Sequence, residues 1–287
     1  MSDPVGKDRS FRSVVKSSYS QAYARVFRSV PKGFSPAVIT PVLFHDIQDI
    51  PFFLKVLKTL LELRPFISPD EFEEKVNSRK PLEKSYWLLT FDDGYLSSAN
   101  AIKKAFEVFG IKSAFFVVPS WVGLSGEASR RFVIDQLKIA QPQEIECVQW
   151  QDVLELSEQG HRIGSHSLSH LRLAAIESEE ILHREVVDSR KILEEKLTRQ
   201  VKWFAFPFGD IHSINSAAMK LIHSSYQYCF SGVRGEIISG TSNYGFYRQS
   251  IDLGMDIDCI LGEALGAYDL RYRSARQRLQ ELVSNEL

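Results

Sequence analysis

His166 and His170 stand four residues apart in the run His166-Ser167-Leu168-Ser169-His170. Imidazoles at that spacing share one face of a helical turn, so both can reach a single ion. Two adjacent carboxylates, Asp92 and Asp93, lie in the run Thr90-Phe91-Asp92-Asp93-Gly94. Neighbouring carboxylates repel unless positive charge lies close. A metal resolves this if one carboxylate ligates it and the other stays free as a base. One carboxylate and two imidazoles suit Zn²⁺ with a position left open for water. Taken singly, each run also has a plainer account: an Asp-Gly turn in which Asp caps the next helix, and two solvated loop histidines. A third run, Phe204-Ala205-Phe206-Pro207-Phe208-Gly209-Asp210, has a Pro to end a strand and a Gly that lets the backbone come close to a ligand. Free N–H groups there can hold an oxyanion.

The elements that carry these runs follow from apolar patterning. Strands are expected at Ala37–Phe44, Trp87–Phe91, Lys112–Val118, His161–Ser165, Val201–Phe206, Tyr228–Ser231 and Gly245–Ile251. Helices are expected at Pro51–Leu63, Ser97–Phe109, Asp152–Gln159, Glu177–Leu197 and Ser213–Ser224, with Ser120–Pro142 a looser lid or insertion. Parallel strands need crossover helices, so the alternation implies a parallel sheet or barrel. Active groups in such folds sit at the carboxyl ends of strands, where all three runs fall.

Taken together and in this order, TFDDG (90–94), HSLSH (166–170) and FAFPFGD (204–210) resemble the polysaccharide deacetylases, carbohydrate esterase family 4, over roughly residues 38–251. GIKSAFFVV (110–118) and WQDVLELSEQGHRIGSHSLSH (150–170) resemble the connecting text of that family. The resemblance implies an α/β fold, a distorted (β/α) barrel with fewer than eight strands. It implies a divalent metal on Asp93, His166 and His170, with Zn²⁺ the default and Co²⁺, Mn²⁺ or Ni²⁺ acceptable to the same donors. Asp92 matches the catalytic base that takes a proton from the attacking water, and the reaction would remove an N-acetyl group from an acetamido sugar. The oxyanion would be held by the metal and a backbone N–H near Phe208, with Pro207, Phe208 and Gly209 on the substrate side.

Two departures stand out. Many members carry an Arg before the Pro of the third motif, where this chain has Ala205 and Phe206. Many have a late Leu-x-His that supplies the acid, whereas no histidine follows His223. Both departures resemble the branch acting on poly-N-acetylglucosamine-type polymers, whose acid lies on the N-terminal side. Val42-Leu43-Phe44-His45-Asp46 matches that branch's Tyr-His-Asp-like strand end, with Phe for Tyr, which makes His45 the general acid and Asp46 its partner. Arg248, in Phe246-Tyr247-Arg248-Gln249, falls where related sequences place an Arg entering the site and reads as substrate-binding. His161, His183, His212 and His223 read as solvated or helix-surface residues.

Two other functions remain open from sequence: a catalytically silent carbohydrate-binding relative, and a deacylase of a non-sugar amide. With 35 Lys+Arg against 36 Asp+Glu, the chain has a net charge of −1, which speaks against nucleic acid. The charge is unevenly spread. Residues 1–32 carry seven basic and two acidic residues, +5, which leaves 28 basic and 34 acidic, −6, elsewhere. Residues 1–35 read as a basic amphipathic helical segment, with Phe11, Val15, Tyr19, Tyr23 and Phe27 on one stripe, and residues 36–287 as the catalytic domain. The segment is expected to pack on the domain, to lie on an anionic lipid surface, which a lipid-linked sugar substrate would explain, or to be a transit-like leader, Ser- and Arg-rich and poor in acid. Three scattered cysteines and a start without an apolar signal core point to the cytoplasm, with a peripheral place at the inner membrane surface.

Overall fold

Strand residues in this chain run apolar without alternation, as strands covered on both faces do. β1 (Ile39–Phe44) and β3 (Ser113–Val117) are buried throughout, and β2 (Tyr86–Phe91) is buried after its first residue. The computed structural model describes residues 18–24, 36–140 and 145–284. Within them β4 (Arg162–Ser165), β5 (Trp203–Ala205), β6 (Tyr228–Phe230), β7 (Tyr244–Phe246) and β8 (Gln249–Ser250) complete one sheet, ordered β7-β6-β5-β4-β3-β2-β1-β8. Every pairing between these strands is parallel.

The sheet has eight strands where the sequence leads one to expect fewer. The extra strand is one chain run broken in two. Gly245–Ile251 reads as a single strand, but the run is interrupted at Tyr247 and Arg248. Its first part, β7, pairs with β6 and its second, β8, with β1. Seven chain runs therefore curl into a distorted barrel, and the break lies where the two sheet edges meet.

Alternate strand residues sort into two apolar clusters. Val42, Phe44, Leu89, Phe91, Phe115, Val117 and Phe204 face the helices α1 (Ile50–Leu63), α3 (Leu96–Phe109) and α5 (Trp150–Glu158). Leu88, Ala114, Phe116, Trp203, Ala205, Phe230 and Phe246 face inward. The inner cluster is plugged by α2 (Pro69–Ser78), whose Phe72 ring lies 5.2 Å from Phe246 and 5.3 Å from Trp203. This helix is absent from the sequence reading because it is mostly charged. Its signature was present in Ser68-Pro69-Asp70-Glu71: Ser68 and Glu71 form a reciprocal capping box with Pro at the first turn. Ser120–Pro142 also contains a helix, α4 (Gly126–Asp135). Residues 1–17 and 25–35, which hold most of the basic segment, lie outside the described residues. Helical residues 18–24 pack on the helix Ile257–Ala264, where a Cβ on Gly262 would clash with the Ser20 carbonyl oxygen.

His183, His212 and His223 are exposed, as expected, but His161 is buried at the foot of β4. Its Nδ1 accepts the Ser113 N–H at 3.1 Å, and Phe106 packs edge-on at 5.4 Å. Burial, with Lys112 adding to it, pushes its pKa down to about 4, against about 6.5 in an unfolded chain. Between those values the unfolded chain binds more protons, so this residue's contribution is complete above pH 6.5 and is lost as pH falls toward 4. The loss amounts to about 3 kcal/mol. Urea midpoints measured from pH 7 to 4.5 should fall less steeply for His161→Gln than for the wild type. Equal slopes would show that His161 is not held neutral.

Candidate metal centre and its buried carboxylate

Strand parity decides which side chains enter the barrel mouth. Leu88 faces inward, and the same parity carries Thr90 and then Asp92 to the inner side. On the barrel-closing run, Phe246 faces inward and Arg248 follows it. The two charged groups meet there. Arg248 Nη1 donates to Asp92 Oδ1 and Nη2 to Oδ2, each at 2.7 Å, a two-pronged contact that matches guanidinium and carboxylate geometry. Both residues are buried, Arg248 at 1% and Asp92 at 2% exposure. Arg248 is fixed further by Nε donation to the Ser231 carbonyl at 2.7 Å and by the Phe116 ring, 5.4 Å from its guanidinium carbon. Arg248 thus enters the site, as its place in the sequence suggests, and lies buried against Asp92. It supplies the cation that Ala205 and Phe206 of the third motif lack.

Asp93 must leave the strand's alternation to avoid pointing away from the mouth. It does so with φ +73°, a left-handed conformation uncommon outside glycine, followed by Gly94 at +112°. Its Oδ1 then lies 3.4 Å from His166 Nε2 and 3.4 Å from His170 Nε2. The three ligand atoms fall within 4.8 Å of one another, and all three residues are buried. The imidazoles are oriented from behind: His166 Nδ1 lies 2.7 Å from the Ala205 carbonyl and His170 Nδ1 3.1 Å from that of Gln136. With Nδ1–H donating to those carbonyls, each Nε2 lone pair is directed to the common centre, the orientation a metal needs. The donor set fits a divalent transition metal. The two histidines do not share a helical turn as their spacing suggests. They bracket a loop in which Ser167 and His170 have φ +62° and +60°, and Ser167 Oγ accepts the His170 N–H at 3.0 Å.

Charges at the site follow from this packing. Burial alone would raise the Asp92 pKa, but Arg248 beside it, with His166 nearby, holds it below the usual carboxylate value. Burial likewise opposes ionisation of Asp93, and His166 and His170 more than offset it.

The remaining sequence candidates surround this centre. His45 follows β1 and is exposed; its carbonyl accepts from Ser98 Oγ, which ties it to the first turn of α3. Asp46 does not pair with His45: its carboxylate accepts from Ser97 Oγ at 2.5 Å and from Gln48 Nε2 at 2.6 Å. Pro207 is buried. Phe208, at φ +63° and 37% exposed, packs its ring 4.7 Å from His170 under the Arg172 guanidinium. The Phe208 N–H donates to no acceptor among the described residues. A side chain on Gly209 would strike Gly232 N at 2.5 Å, so only glycine fits that turn. Sequence reasoning missed Gln136, Arg172 and Glu185, none of which belongs to a motif.

The fold and site define a parallel barrel with a candidate Asp-His-His cation centre at the carboxyl ends of its strands. The family model for polysaccharide deacetylases matches residues 79–225, just over half of the chain, and the chain belongs to that family. YxkH of Bacillus subtilis (strain 168), assigned by name to the same family, is 24% identical over 191 residues, which cover 66% of this chain and 58% of YxkH. The chain therefore spans little more than half of that relative's length. The deacetylase PplD of Streptococcus pyogenes, solved with acetate, is 17% identical and superposes with a TM-score of 0.63, covering 80% of this chain and 99% of PplD. IcaB of Ammonifex degensii is 18% identical with a TM-score of 0.63, covering 80% and 97%. Likeness at this identity is one of fold.

Replacing Arg248 by Met leaves Asp92 buried without its partner. Loss of one member of a buried pair costs about 3–5 kcal/mol, and Lys, which cannot reproduce the fork, should recover only part. Asp92 is an acid held below its ordinary pKa, so the pair's contribution is full above about pH 4 and disappears as pH falls through its folded value. Urea unfolding at pH 7 should show Arg248→Met far less stable than wild type, with the gap narrowing in acid. A gap independent of pH would contradict an ionised Asp92.

Proposed function

We propose that the protein is a metal-dependent hydrolase that removes N-acetyl groups from an acetamido sugar in a polysaccharide or glycan precursor. The observation that carries the reading is the division of labour between adjacent carboxylates: Asp93 Oδ1 lies 3.4 Å from each of two imidazoles, while Asp92, 3.8 Å from His166 Nε2, has both oxygens engaged by Arg248. Asp93, His166 and His170 would hold the ion. When bound there, Zn²⁺ or a related cation supplies a Lewis acid that polarises an amide carbonyl.

This chain's own residues supply the rest. Asp92, with both oxygens oriented by Arg248, takes the proton from an attacking water, whose oxygen bonds to the acetyl carbon. The unpaired Phe208 N–H offers a donor to the oxygen that becomes negative. His45, exposed at the mouth, gives its proton to the sugar nitrogen as the C–N bond breaks, leaving an amine and acetate. Depression of the Asp92 pKa supports its role, since a base must be unprotonated near neutral pH.

Metal-loaded protein incubated with N-acetylglucosamine oligomers should release acetate, read by mass spectrometry. Asp92→Asn should retain metal and lose nearly all turnover, and His45→Ala should lose about 10²–10⁴-fold. Absence of acetate from every acetamido sugar would contradict the assignment. Glycan binding unchanged in Asp92→Asn would identify a silent binding protein, and faster turnover of simple amides a general deacylase.

A second element of the reading concerns place. The helical residues 18–24 present Tyr19, 48% exposed, beside Tyr268, and Leu270 nearby in sequence is 82% exposed. Arg271 lies over the Tyr268 ring at 5.2 Å. Exposed aromatic and aliphatic groups next to arginine suit peripheral contact with an anionic membrane surface, where each basic residue contributes about 1 kcal/mol. Such contact favours a lipid-linked sugar met at the cytoplasmic face. The full chain should sediment with phosphatidylserine-containing vesicles, and Tyr19→Ser with Leu270→Ser should weaken this. Equal recovery of both proteins in the supernatant would refute the membrane contact.

A further inference from the structure

Between the two histidines of the centre, the loop is gripped by a residue outside every motif. Helix α6 (Glu179–His183) continues into α7 (Ser189–Leu197) through a single π-turn, Arg184–Asp188. Such turns leave carbonyls without their usual helical partners and are frequent at functional sites. Here those carbonyls are used. Glu185 O accepts the Leu168 N–H at 3.0 Å, and Val186 O accepts from Tyr226 Oη at 2.7 Å and Ser189 Oγ at 3.0 Å.

The same turn carries the Glu185 carboxylate inward, 3% exposed. Oε2 accepts the Ser169 N–H at 2.9 Å, and Oε1 accepts from Ser169 Oγ at 2.5 Å. No Lys, Arg or His pairs with it among the described residues. Three hydrogen bonds from one residue thus hold Leu168 and Ser169, which lie between Ser167 and His170. Those two non-glycine residues have left-handed backbones. Conformations of that kind persist only where the surroundings enforce them. Without the grip the loop can relax toward ordinary φ values, which would swing the His170 ring away from Asp93.

We propose that Glu185 is a positioning residue for the metal centre, holding the 167–170 loop in the strained form that sets His170 against Asp93 and His166. The proposal rests on the Asp93–His166–His170 reading and extends it to a residue that touches neither ion nor substrate. It predicts an effect of shape and hydrogen bonding rather than of charge. Glu185→Gln can accept the Ser169 N–H through Oε1 and donate to Ser169 Oγ through Nε2, whereas Glu185→Ala loses both side-chain bonds.

The test is Zn²⁺ affinity of the metal-free full chain, measured by competition with a chromogenic chelator, with melting of each metal-free protein alongside. Glu185→Ala should bind Zn²⁺ about 10–100-fold more weakly, and Glu185→Gln should stay close to wild type. Wild-type affinity in Glu185→Ala would overturn the proposal, as would Glu185→Gln falling as far as Glu185→Ala. If Glu185→Ala melts too low to assay, Ser169→Ala removes only the Oγ bond. It should weaken Zn²⁺ binding while leaving metal-free melting unchanged; unchanged affinity would again overturn the proposal. A wild-type chain that binds no Zn²⁺ would overturn the centre itself, an outcome distinct from an altered variant in a binding-competent protein.

Discussion

A carboxylate and a guanidinium face each other inside the barrel mouth, and the arrangement around them follows from that contact. Asp92 would be costly to bury ionised on its own. Arg248 makes the charge tolerable and fixes both carboxylate oxygens at once. It can do so because the barrel-closing run breaks at Tyr247 and Arg248, between a strand that pairs with β6 and one that pairs with β1. The distortion of the barrel and the ionisation of Asp92 are therefore two sides of one local event. Family members with an Arg before the third-motif Pro draw the cation from a different place; here that place is filled by Ala205 and Phe206, and Ala205 gives its carbonyl to His166 instead.

Asp93 is freed for the cation centre by the same device in reverse. A strand that ran on past Asp92 would send the next side chain to the helix face. The left-handed backbone at Asp93 brings it back to the mouth, and Gly94 makes room for the turn. Three other non-glycine residues at the site, Ser167, His170 and Phe208, are also left-handed. Strain of this kind is concentrated where side chains must leave the directions that regular elements allow, and between the histidines it is held by hydrogen bonds donated to Ser167 Oγ, the Glu185 carboxylate and the Gln136 carbonyl.

What could be read from sequence divides along physical lines. Asp92, Asp93, His166 and His170 were legible because their types and spacing are restrictive, and because apolar runs placed them at strand ends. The parallel pairing of the strands was legible from their alternation with helices. The partner of Asp92 is legible only as a position: Arg248 falls in the closing run, but its burial and its fork with Asp92 depend on a strand break that periodicity reads as one strand. The loop geometry between the histidines was hidden because a spacing of four fits a helical turn equally well. Helix α2 was hidden by its charge, although its capping signature was present. Glu185 and Gln136 left no signal, since each acts through tertiary placement of an otherwise ordinary residue.

The central claim is that the adjacent carboxylates have separate partners, Asp93 the cation and Asp92 the arginine. Anomalous scattering at the zinc edge from crystals of the Zn²⁺-loaded protein tests it most directly. The account predicts one site of full occupancy, about 2.0–2.2 Å from Nε2 of His166, Nε2 of His170 and a carboxylate oxygen of Asp93, with Arg248 still bidentate on Asp92. A zinc ion ligated by Asp92, with the Arg248 contact broken, would contradict it.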